Sequence, residues 1–534
     1  MLTRLGLVSL LAAALHPLAA QQACAGLTTL MLPRTTIASA AVAPEGPVPG
    51  PPGIGNAAPV IAPAHCAVQA VMRPTSDSEI RFELWLPTVG WNGKYLQLGN
   101  GGWAGQINRA AMADPLRRGY AVAATDDGHE GGPGAAWAIG HPEKLVDFGY
   151  RAVHETSLRA KAIVRAFFGR DAARSYFDGC SDGGREALME AQRYSEDFNG
   201  IVAGAPANNW SHLFTGFVWN EQALAENPIP PAKLPVIQNA VLAACDALDG
   251  VKDGLIEDPR ACHFDPASLL CKGADAPGCL TAGQIATLRK IYSGPRNPRT
   301  GEQIFPGYAV GTEAGARGWA AWIVPPAAAG GLQAGFGNSY YGQAVFEDPH
   351  WDFRQLNFDR DVAFGDAKAG PVLNSTSPDL RSFRDNGGKL IQYHGWGDPA
   401  ISPYNSIEYY ESVRAFLDRF PDARHQKTDP ADFYRLFLVP GMGHCGGGVG
   451  PDNFGNGLAS VPRDPDHDIL SALDAWVERG APPAKIIGTG TAVNDPSKTL
   501  TRPLCPYPQV ARYRGAGDPN DAANFSCLEP AAAR

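Results

Sequence analysis

The stretch SYFDGCSDGGREALMEAQRY, residues 175–194, changes from a strand pattern to a helix pattern within one glycine-rich turn. SYFDGC ends like an apolar strand, and REALMEAQRY continues like a helix. Between them, GCSDG matches G-x-S-x-G, in which glycines permit a strained turn that lifts a serine hydroxyl above a sheet. The motif is weak by itself in a chain with 61 glycines. Its strand–turn–helix context makes Ser181 a candidate nucleophile.

Strand and helix patterns alternate on both sides of this turn, which predicts an α/β fold. Near-continuous apolar runs such as YAVAAT indicate strands buried on both faces of a sheet. The strand-containing segments are EIRFELWLP (79–87), KYLQLGNGGWAG (94–105), YAVAATDDGH (120–129), FNGIVAGAPA (198–207), KLIQYHGWGDP (389–399) and FYRLFLVPGMGHC (433–445), and helices are predicted near 148–168, 405–418 and 467–479.

The alternation fades in residues 211–384, which are rich in Trp, Pro, Gly and Cys. We therefore predict one α/β domain, formed by residues 21–210 and 385–534, with residues 211–384 inserted as a lid. The Pro/Gly-rich segment 43–64 is predicted to be a surface loop.

Composition and the first residues indicate an exported protein. The formal net charge is −9 and no Lys/Arg-rich run occurs, which argues against a nucleic-acid partner. Residues 1–20 carry one arginine, an apolar run and small residues, as in a cleaved signal peptide; a buried N-terminal helix is the alternative. No later segment is long and apolar enough to suggest a membrane span. Ten cysteines fit an oxidising compartment, so we expect a secreted or periplasmic protein.

A serine nucleophile needs a base, and the base needs an orienting carboxylate. In α/β-hydrolases the chain order is Ser, then Asp or Glu, then His. Asp398 and His444 follow late strands in that order, each in a glycine-bounded loop. The alternatives are a helix N-cap for Asp398 and an ordinary loop histidine for His444. The combination predicts an α/β-hydrolase with a large lid insertion and a Ser181–His444–Asp398 triad.

An oxyanion hole requires two backbone N–H donors. One is expected from Asp182, the residue after the nucleophile, and the other from Gly101 or Gly102 in GNGGWAG. A plain glycine turn is the alternative for that second loop.

Two cysteines stand beside these candidate residues, since Cys180 precedes Ser181 and Cys445 follows His444. If the serine and histidine side chains are within hydrogen-bond reach, the neighbouring Cα atoms can lie about 5–6 Å apart, the span of a disulfide. We therefore expect a Cys180–Cys445 disulfide between the nucleophile turn and the base loop.

These motifs resemble those of the tannase/feruloyl esterase family of secreted α/β-hydrolases. The resemblance depends on GCSDGGREAL, GNGGWAG, TDDGH, HGWGD and PGMGHC and covers nearly all of the mature chain. It implies the same triad and the Cys180–Cys445 link. It further implies the disulfides Cys24–Cys66, Cys245–Cys262, Cys271–Cys279 and Cys505–Cys527. The sequence alone does not distinguish these pairs from other pairings of the same cysteines.

The resemblance also implies a structural calcium ion in the lid, held by CDALDGVKDGLI (245–256). Carboxylates and carbonyls on a glycine-bent loop suit Ca²⁺, although the loop lacks the terminal glutamate of an EF-hand. A solvated acidic loop is the alternative. The ligands implied are the side chains of Asp246, Asp249 and Asp253 and the carbonyls of Val251 and Leu255.

The lid is expected to bind part of the ester. Its aromatic residues Trp319, Trp322, Phe336, Tyr340 and Tyr341 suit a flat phenolic ring, although each can equally belong to the lid's own core. His394 is a candidate to line the pocket, with a strand-end histidine as the alternative. We therefore expect Trp322, Phe336 and His394 at the substrate.

Some family members hydrolyse a terephthalate monoester and hold its carboxylate with a lid arginine. The matching segment 325–352 has no Arg or Lys, and Arg317 and Arg354 lie outside it. This favours uncharged feruloyl or galloyl esters, either small or linked to polysaccharide. Alternatives are a hydrolase of aromatic polyester monoesters, a secreted peptidase, and a non-catalytic protein that binds phenolics or polysaccharide. The oligomeric state is not readable from the sequence.

Overall fold

The computed structural model describes residues 23–49, 59–132, 134–315, 318–324, 331–421, 429–457 and 460–530. The predicted signal peptide, 1–20, lies outside these ranges. The main feature is a nine-stranded sheet of order β1-β4-β5-β7-β6-β8-β9-β10-β11. The described strands are β1 Thr35–Ala43, β2 Gly46–Val48, β3 Val60–Ala62, β4 His65–Met72, β5 Ile80–Pro87, β6 Lys94–Leu98, β7 Ala121–Thr125, β8 Arg174–Cys180, β9 Gly200–Gly204, β10 Lys389–Gly395, β11 Tyr434–Val439, β12 Ile486–Ala492, β13 Asp495–Leu504, β14 Val510–Tyr513 and β15 Phe525–Leu528.

The sheet is parallel where it carries the candidate residues and antiparallel at one edge. Strands β7, β6, β8, β9, β10 and β11 pair in parallel, whereas β1, β4 and β5 pair antiparallel and β5 joins β7 antiparallel. Every residue of β7 and β9 is buried, as expected for strands covered on both faces. The parallel strands bring their carboxyl ends to one edge, where ligands bind in open α/β sheets.

Helices cover both faces of the sheet. Ala152–Phe168, Asp182–Arg193 and Pro403–Arg419 share one apolar core, and Arg109–Arg117 and Ile469–Arg479 share the core on the other face. The other α-helices in the described ranges are Pro142–Val146, Trp210–Glu226, Leu234–Cys245, Ala282–Ser293, Trp319–Trp322, Leu332–Asn338, Arg360–Lys368, Gly370–Leu373 and Arg381–Asp385. Both cores agree with the fold class that the alternation predicts.

The chain between β9 and β10 contains residues 211–384, which the sequence predicts to be a lid insertion. Its helices pack into two aromatic and aliphatic clusters, one of which includes Trp103, Ala207 and Ala400 from the loops after β6, β9 and β10. The domain boundaries themselves stay a prediction. In the part of the chain that the structure describes, no helix combines the length and the apolar character needed to cross a bilayer.

Some elements differ from the sequence expectation. Segment 43–64 was predicted as a loop, but β2 and β3 form a short antiparallel pair there. The two-stranded β12–β13 and β14–β15 sheets were not predicted. Their sequences mix glycine, threonine, proline and charged residues, so neither strand nor helix periodicity is visible in them.

Candidate active site

The turn after β8 forces Ser181 into a left-handed conformation, with φ 67° and ψ −117°. The helix Asp182–Arg193 begins at the next residue. The glycines on either side of Ser181 leave no room for a side chain. A Cβ on Gly179 would lie 2.6 Å from the backbone of Gly183. A Cβ on Gly183 would lie 2.9 Å from the carbonyl oxygen of Asn100. This is the geometry that a nucleophile turn needs to present its hydroxyl at the sheet edge.

The three candidate residues form one hydrogen-bonded chain. His444 Nε2 lies 2.9 Å from Ser181 Oγ, and His444 Nδ1 lies 2.8 Å from Asp398 Oδ2. Asp398 follows β10, which pairs with β9, and His444 follows β11, the edge strand beside β10. In the sequence, His444 is 46 positions from Asp398 and 263 positions from Ser181, and the structure brings the three side chains together.

The Asp398 carboxylate is buried and fully engaged. Its Oδ1 accepts hydrogen bonds from the N–H groups of Ala400 and Ile401, at 2.8 and 2.9 Å. Burial alone would raise the pKa of Asp398, but His444 and the hydrogen bonds from His394 and His444 outweigh it and lower the pKa below its usual value. The carboxylate is thus held ionised opposite His444 Nδ1.

The expectation that His394 lines the substrate pocket is wrong. His394 is completely buried behind Asp398 and is absent from the described cavity lining. Its Nδ1 lies 2.7 Å from Ser406 Oγ, and its Nε2 lies 2.9 Å from the Ile401 carbonyl oxygen and 3.2 Å from Asp398 Oδ2. Because β10 continues to Gly395, His394 is still inside the sheet, so it positions the carboxylate rather than contacting a ligand.

The expected oxyanion donors face the same space as Ser181. Asp182, Gly101 and Gly102 all line the cavity with Ser181 and His444. Among the described residues, no acceptor is hydrogen-bonded to the N–H groups of these three. Gly102 has φ 61°, which an L side chain rarely adopts. The Gly183 N–H donates to Asn100 O at 2.8 Å and so fixes this loop against the nucleophile helix.

The cysteines beside the serine and histidine are joined. Cys180 and Cys445 form a disulfide with a Cα–Cα distance of 5.9 Å, which links the nucleophile turn to the histidine loop. The remaining cysteines of the described chain form the four other pairs that the family resemblance implies: Cys24–Cys66, Cys245–Cys262, Cys271–Cys279 and Cys505–Cys527.

A buried charged network under the nucleophile helix was missed by the sequence reasoning. Arg185 Nε donates to Asp182 Oδ1 at 2.5 Å, and its other nitrogens donate to the carbonyls of Phe148 and Gly149. Carboxylate oxygens of Asp127, Asp182 and Glu186 lie within 4.8 Å of one another, and all three side chains are buried. In a helical pattern, charged residues such as these are predicted to lie on the solvent-exposed face. Their burial becomes visible only when the positions of the lid and the sheet are known.

The same network holds the oxyanion loop. Glu186 Oε2 accepts from the Asn100 N–H at 2.9 Å, and Asn100 Nδ2 donates to Asp127 Oδ2 at 2.6 Å. Burial raises the pKa of Asp182 to about 7, although Arg185 opposes the shift. Burial and the charge of Glu186 raise the pKa of Asp127 well above its usual value. One guanidinium therefore faces three buried carboxyl groups, and their crowding adds to the raised pKa of Asp127 and of Asp182.

Because two carboxyl groups of this cluster, those of Asp127 and Asp182, have raised pKa values, we expect the free energy of unfolding to decrease as the pH rises. A raised folded-state pKa stabilises the fold fully below the unfolded value of about 4, and the contribution is lost as the pH rises to the folded value. Asp127→Asn mimics the protonated carboxyl, so we expect its Tm to fall less steeply than the wild-type Tm between pH 5 and pH 8. Asp171→Asn, at an exposed position, is the control. Equal slopes in thermal melts of wild type and Asp127→Asn would contradict the prediction.

A cavity of about 870 Å³ opens over Ser181. Trp322 and Phe336 line it, and Trp322 packs edge-on to His444 with 5.3 Å between ring centroids. Phe336 stacks on Trp322 at 5.8 Å. Trp319, Tyr340 and Tyr341 are instead buried in the lid's own cores and contribute no surface to the cavity.

The acidic loop of the lid carries three aspartates, and backbone N–H groups of the loop donate hydrogen bonds to only one carboxylate oxygen of each. Asp246, Asp249 and Asp253 each accept a backbone N–H of the loop through Oδ1. Asp253 Oδ2 pairs with the buried Arg502 at 2.5 Å. Burial raises the pKa of Asp249 to about 6, and the carboxylate of Asp253 adds to the shift. These oxygen atoms are of the hard type that Ca²⁺ prefers, although the three carboxylates are not among the groups of the described chain whose oxygens lie within 4.8 Å of one another.

Comparison with known proteins agrees with this geometry. A sequence model described as "Tannase and feruloyl esterase" matches residues 66–528. The chain belongs to the tannase and feruloyl esterase family. This esterase is therefore a carboxylic ester hydrolase, and the family expectation drawn from its motifs is confirmed.

Relatives of the esterase extend over almost its whole length. An uncharacterised esterase from Xanthomonas campestris pv. campestris is 45% identical over 531 residues, which cover 96% of this chain and 92% of the relative. The mono(2-hydroxyethyl) terephthalate hydrolase of Piscinibacter sakaiensis is 34% identical, with 88% and 85% of the two chains covered. The crystal structure of feruloyl esterase B from Aspergillus oryzae superposes with a TM-score of 0.85 at 28% identity, covering 95% of the esterase and 100% of that chain.

Proposed function

We propose that the protein is an exported serine esterase that hydrolyses uncharged phenolic esters, such as feruloyl and galloyl esters, through an acyl-enzyme. The observation that carries the proposal is the position of His444, which contacts Ser181 Oγ with one ring nitrogen and Asp398 with the other. Asp182, Gly101 and Gly102 line the same cavity, and their N–H groups, which have no acceptor among the described residues, would supply the oxyanion hole.

In the first half of the reaction, Ser181 Oγ attacks the ester carbonyl carbon and His444 Nε2 takes the hydroxyl proton. The carbonyl π bond breaks and its electron pair moves to oxygen, where the two backbone donors stabilise the negative charge. The tetrahedral intermediate then collapses. The bond to the alcohol oxygen breaks, His444 returns the proton to that oxygen, and the acyl group stays on Ser181.

In the second half, water attacks the acyl carbonyl while His444 Nε2 takes its proton. Collapse of the second intermediate breaks the bond to Ser181 Oγ, and His444 reprotonates the serine. Asp398 holds the imidazole with Nδ1–H towards the carboxylate throughout and stabilises the imidazolium that forms in each half. The products are the phenolic acid and the alcohol.

The preference for an uncharged acyl group rests on the lid side of the cavity. Trp322, Phe336, Phe214 and Phe217 line it there, and none of the described lid residues in the lining is a lysine or an arginine. Stacked aromatic side chains suit the planar ring of a feruloyl or galloyl group. A terephthalate monoester would bring a carboxylate into this apolar surface without a cationic partner, which costs free energy.

A substrate panel tests the acyl preference. We expect kcat/KM for methyl ferulate or methyl gallate to exceed that for mono(2-hydroxyethyl) terephthalate by about tenfold or more, because an unpaired charge in an apolar pocket costs over 1.4 kcal/mol. Equal or faster turnover of the terephthalate monoester would favour the alternative function, a hydrolase of aromatic polyester monoesters like the Piscinibacter relative. Hydrolysis of amide analogues at a comparable rate would favour a peptidase.

A fluorophosphonate probe separates catalysis from simple binding. We expect the probe to label Ser181 covalently, and peptide mapping identifies the labelled residue. A protein that only binds phenolics would leave the probe unreacted. Export is supported by the five disulfides and by the apolar N-terminal pattern, and detection of the mature chain outside the cytoplasm tests it.

We also propose a structural Ca²⁺ in the lid, held by Asp246, Asp249 and Asp253 with the carbonyls of Val251 and Leu255. Chelation with EDTA should lower the Tm by a few degrees, because an ion that binds only the folded state stabilises it. Asp249→Asn should abolish the EDTA response, whereas Asp171→Asn should preserve it. An unchanged Tm together with no metal by elemental analysis would contradict the proposal.

A further inference from the structure

A second cluster of ligand-type side chains lies at the end of the nucleophile helix that points away from Ser181. One ring nitrogen of His154 and one carboxylate oxygen each of Glu190 and Asp197 lie within 4.8 Å of one another. Glu190 is in the last turn of the nucleophile helix, and Asp197 is in the loop before β9. His154 is in the first turn of the helix Ala152–Phe168. None of the three is among the described residues that line the cavity over Ser181.

Glu190 is the least satisfied member of this cluster. It is only 1% exposed, and neither of its carboxylate oxygens accepts a hydrogen bond from the described residues. Its carboxylate is aimed at His154 and Asp197, since it forms part of the group within 4.8 Å. Burying a carboxylate with neither a donor nor a counter-ion is costly. The position of Glu190 therefore points to a partner that the described chain does not supply.

Lys161 lies beside the cluster but does not pair with its carboxylates. Its ammonium donates to the main-chain carbonyl of Asp197 and lies 5.0 Å from the centroid of the Phe198 ring. Within the described ranges, the ion-pair partner of Asp197 is His154, and no lysine or arginine pairs with Glu190. A cation placed between the two carboxylates would compensate both of them directly.

The donor set indicates a first-row transition metal ion rather than Ca²⁺ or Mg²⁺. Imidazole nitrogen is a common ligand of Zn²⁺, whereas the two hard cations are held by oxygen atoms. The side chain of His154 is 22% exposed and that of Asp197 is 9% exposed, so an ion can enter from the surface and a water molecule can fill a fourth position.

The spacing of the three side chains is close to that of a zinc shell. Two ligands of a tetrahedral Zn²⁺ are roughly 3.4 Å apart, because each lies about 2.1 Å from the ion. His154 Nδ1 and Asp197 Oδ2 are 2.7 Å apart, and no separation within the cluster exceeds 4.8 Å. Side-chain movements of roughly 1 Å would therefore complete the shell.

We propose that His154, Glu190 and Asp197 bind one Zn²⁺ ion. The ion ties the last turn of the nucleophile helix to the helix Ala152–Phe168 and to the loop before β9. A cation is also favoured there by the partial negative charge at the C-terminal end of a helix. Glu190 is about 12 Å along the helix axis from Asp182, so the ion is structural and takes no part in the chemistry at Ser181. The proposal depends neither on the esterase reaction nor on the Ca²⁺ loop of the lid.

Zinc titration of the full-length protein, stripped of metal and then saturated with Ca²⁺, tests this site. We expect isothermal titration calorimetry to show one Zn²⁺ bound per chain. The Tm should rise by a few degrees with Zn²⁺, because the ion binds the folded state. His154→Gln and Glu190→Gln should each weaken Zn²⁺ binding by about 100-fold or more, since losing even an outer partner of a metal ligand costs 10- to 100-fold.

The variants are chosen so that a loss of binding is not a loss of the fold. Without Zn²⁺, Glu190→Gln should melt at or above the wild-type Tm, because a neutral amide replaces an unpaired buried carboxylate. His141→Gln is the matched control, since His141 Nδ1 also lies 2.7 Å from an aspartate, Asp77, but at a more exposed position. This control and Asp249→Asn should both keep the wild-type response to Zn²⁺.

Two results would overturn the inference. If Zn²⁺ neither binds stoichiometrically nor raises the Tm, the cluster holds a proton instead of a metal ion. Burial and the carboxylate of Asp197 raise the pKa of Glu190 well above its usual value, and a proton shared by these two groups would then be their compensation. If His154→Gln and Glu190→Gln keep the wild-type response, or if His141→Gln loses it, the protein binds an adventitious ion only, at other surface histidines.

Discussion

Replacing Ser181 by alanine is expected to lower kcat for p-nitrophenyl acetate by about 10⁵- to 10⁶-fold, as for other serine hydrolases that lose the nucleophile. No other hydroxyl is hydrogen-bonded to His444 among the described residues, so the variant has no substitute at that position. A small residual rate should persist, because the oxyanion donors and the binding cavity remain.

The fold of this variant should be unchanged. Among the described residues, the Ser181 hydroxyl is hydrogen-bonded only to His444, while its backbone N–H and carbonyl fix the turn by bonds to Gly204 and Ala207. Ser412→Ala, which removes a hydroxyl that bonds to the Tyr409 carbonyl on a distant helix, is a matched control. It should keep wild-type activity. Retention of more than a few per cent of activity by Ser181→Ala, with loss of fluorophosphonate labelling, would reject the acyl-enzyme mechanism.

The central sheet was predictable because its strands are short apolar runs bounded by glycine and polar turns. Strand β7 was placed at 120–129 and found at Ala121–Thr125, and the strand of the nucleophile turn was placed almost to the residue. The antiparallel edge was harder to read. Strand β1, TTIASAAVA, is rich in alanine, a helix former, and only its pairing with β4 makes it a strand.

The candidate site divides in the same way. Ser181, Asp398 and His444 were predictable since each follows a recognisable strand in a fixed chain order, and the adjacent cysteines tied two of those loops together. The roles of Arg185, Glu186 and His394 were not predictable. They depend on which face of an element the lid and the neighbouring strands cover, and a linear pattern does not contain that information.

Asp398→Asn is expected to reduce kcat by about 10⁴-fold without disturbing the loop that carries it. An asparagine carbonyl can still accept the N–H groups of Ala400 and Ile401, which bond to Asp398 Oδ1. Its NH₂ would then face His444 Nδ1. Two donors cannot share that contact, so the imidazole is driven to the tautomer with hydrogen on Nε2 and loses its ability to accept the Ser181 proton.

This substitution also separates a catalytic carboxylate from a helix cap, which was the alternative interpretation of Asp398. The cap needs only an oxygen that accepts backbone N–H groups, and asparagine supplies it. Asp429 accepts the comparable bond from the Ala431 N–H at 2.9 Å, and no histidine of the described residues is hydrogen-bonded to it, so Asp429→Asn should retain full activity. Circular dichroism should give native spectra for both variants. If Asp398→Asn kept activity within tenfold of the wild type, Asp398 would be a structural cap, and the base at Ser181 would have to act without an orienting carboxylate.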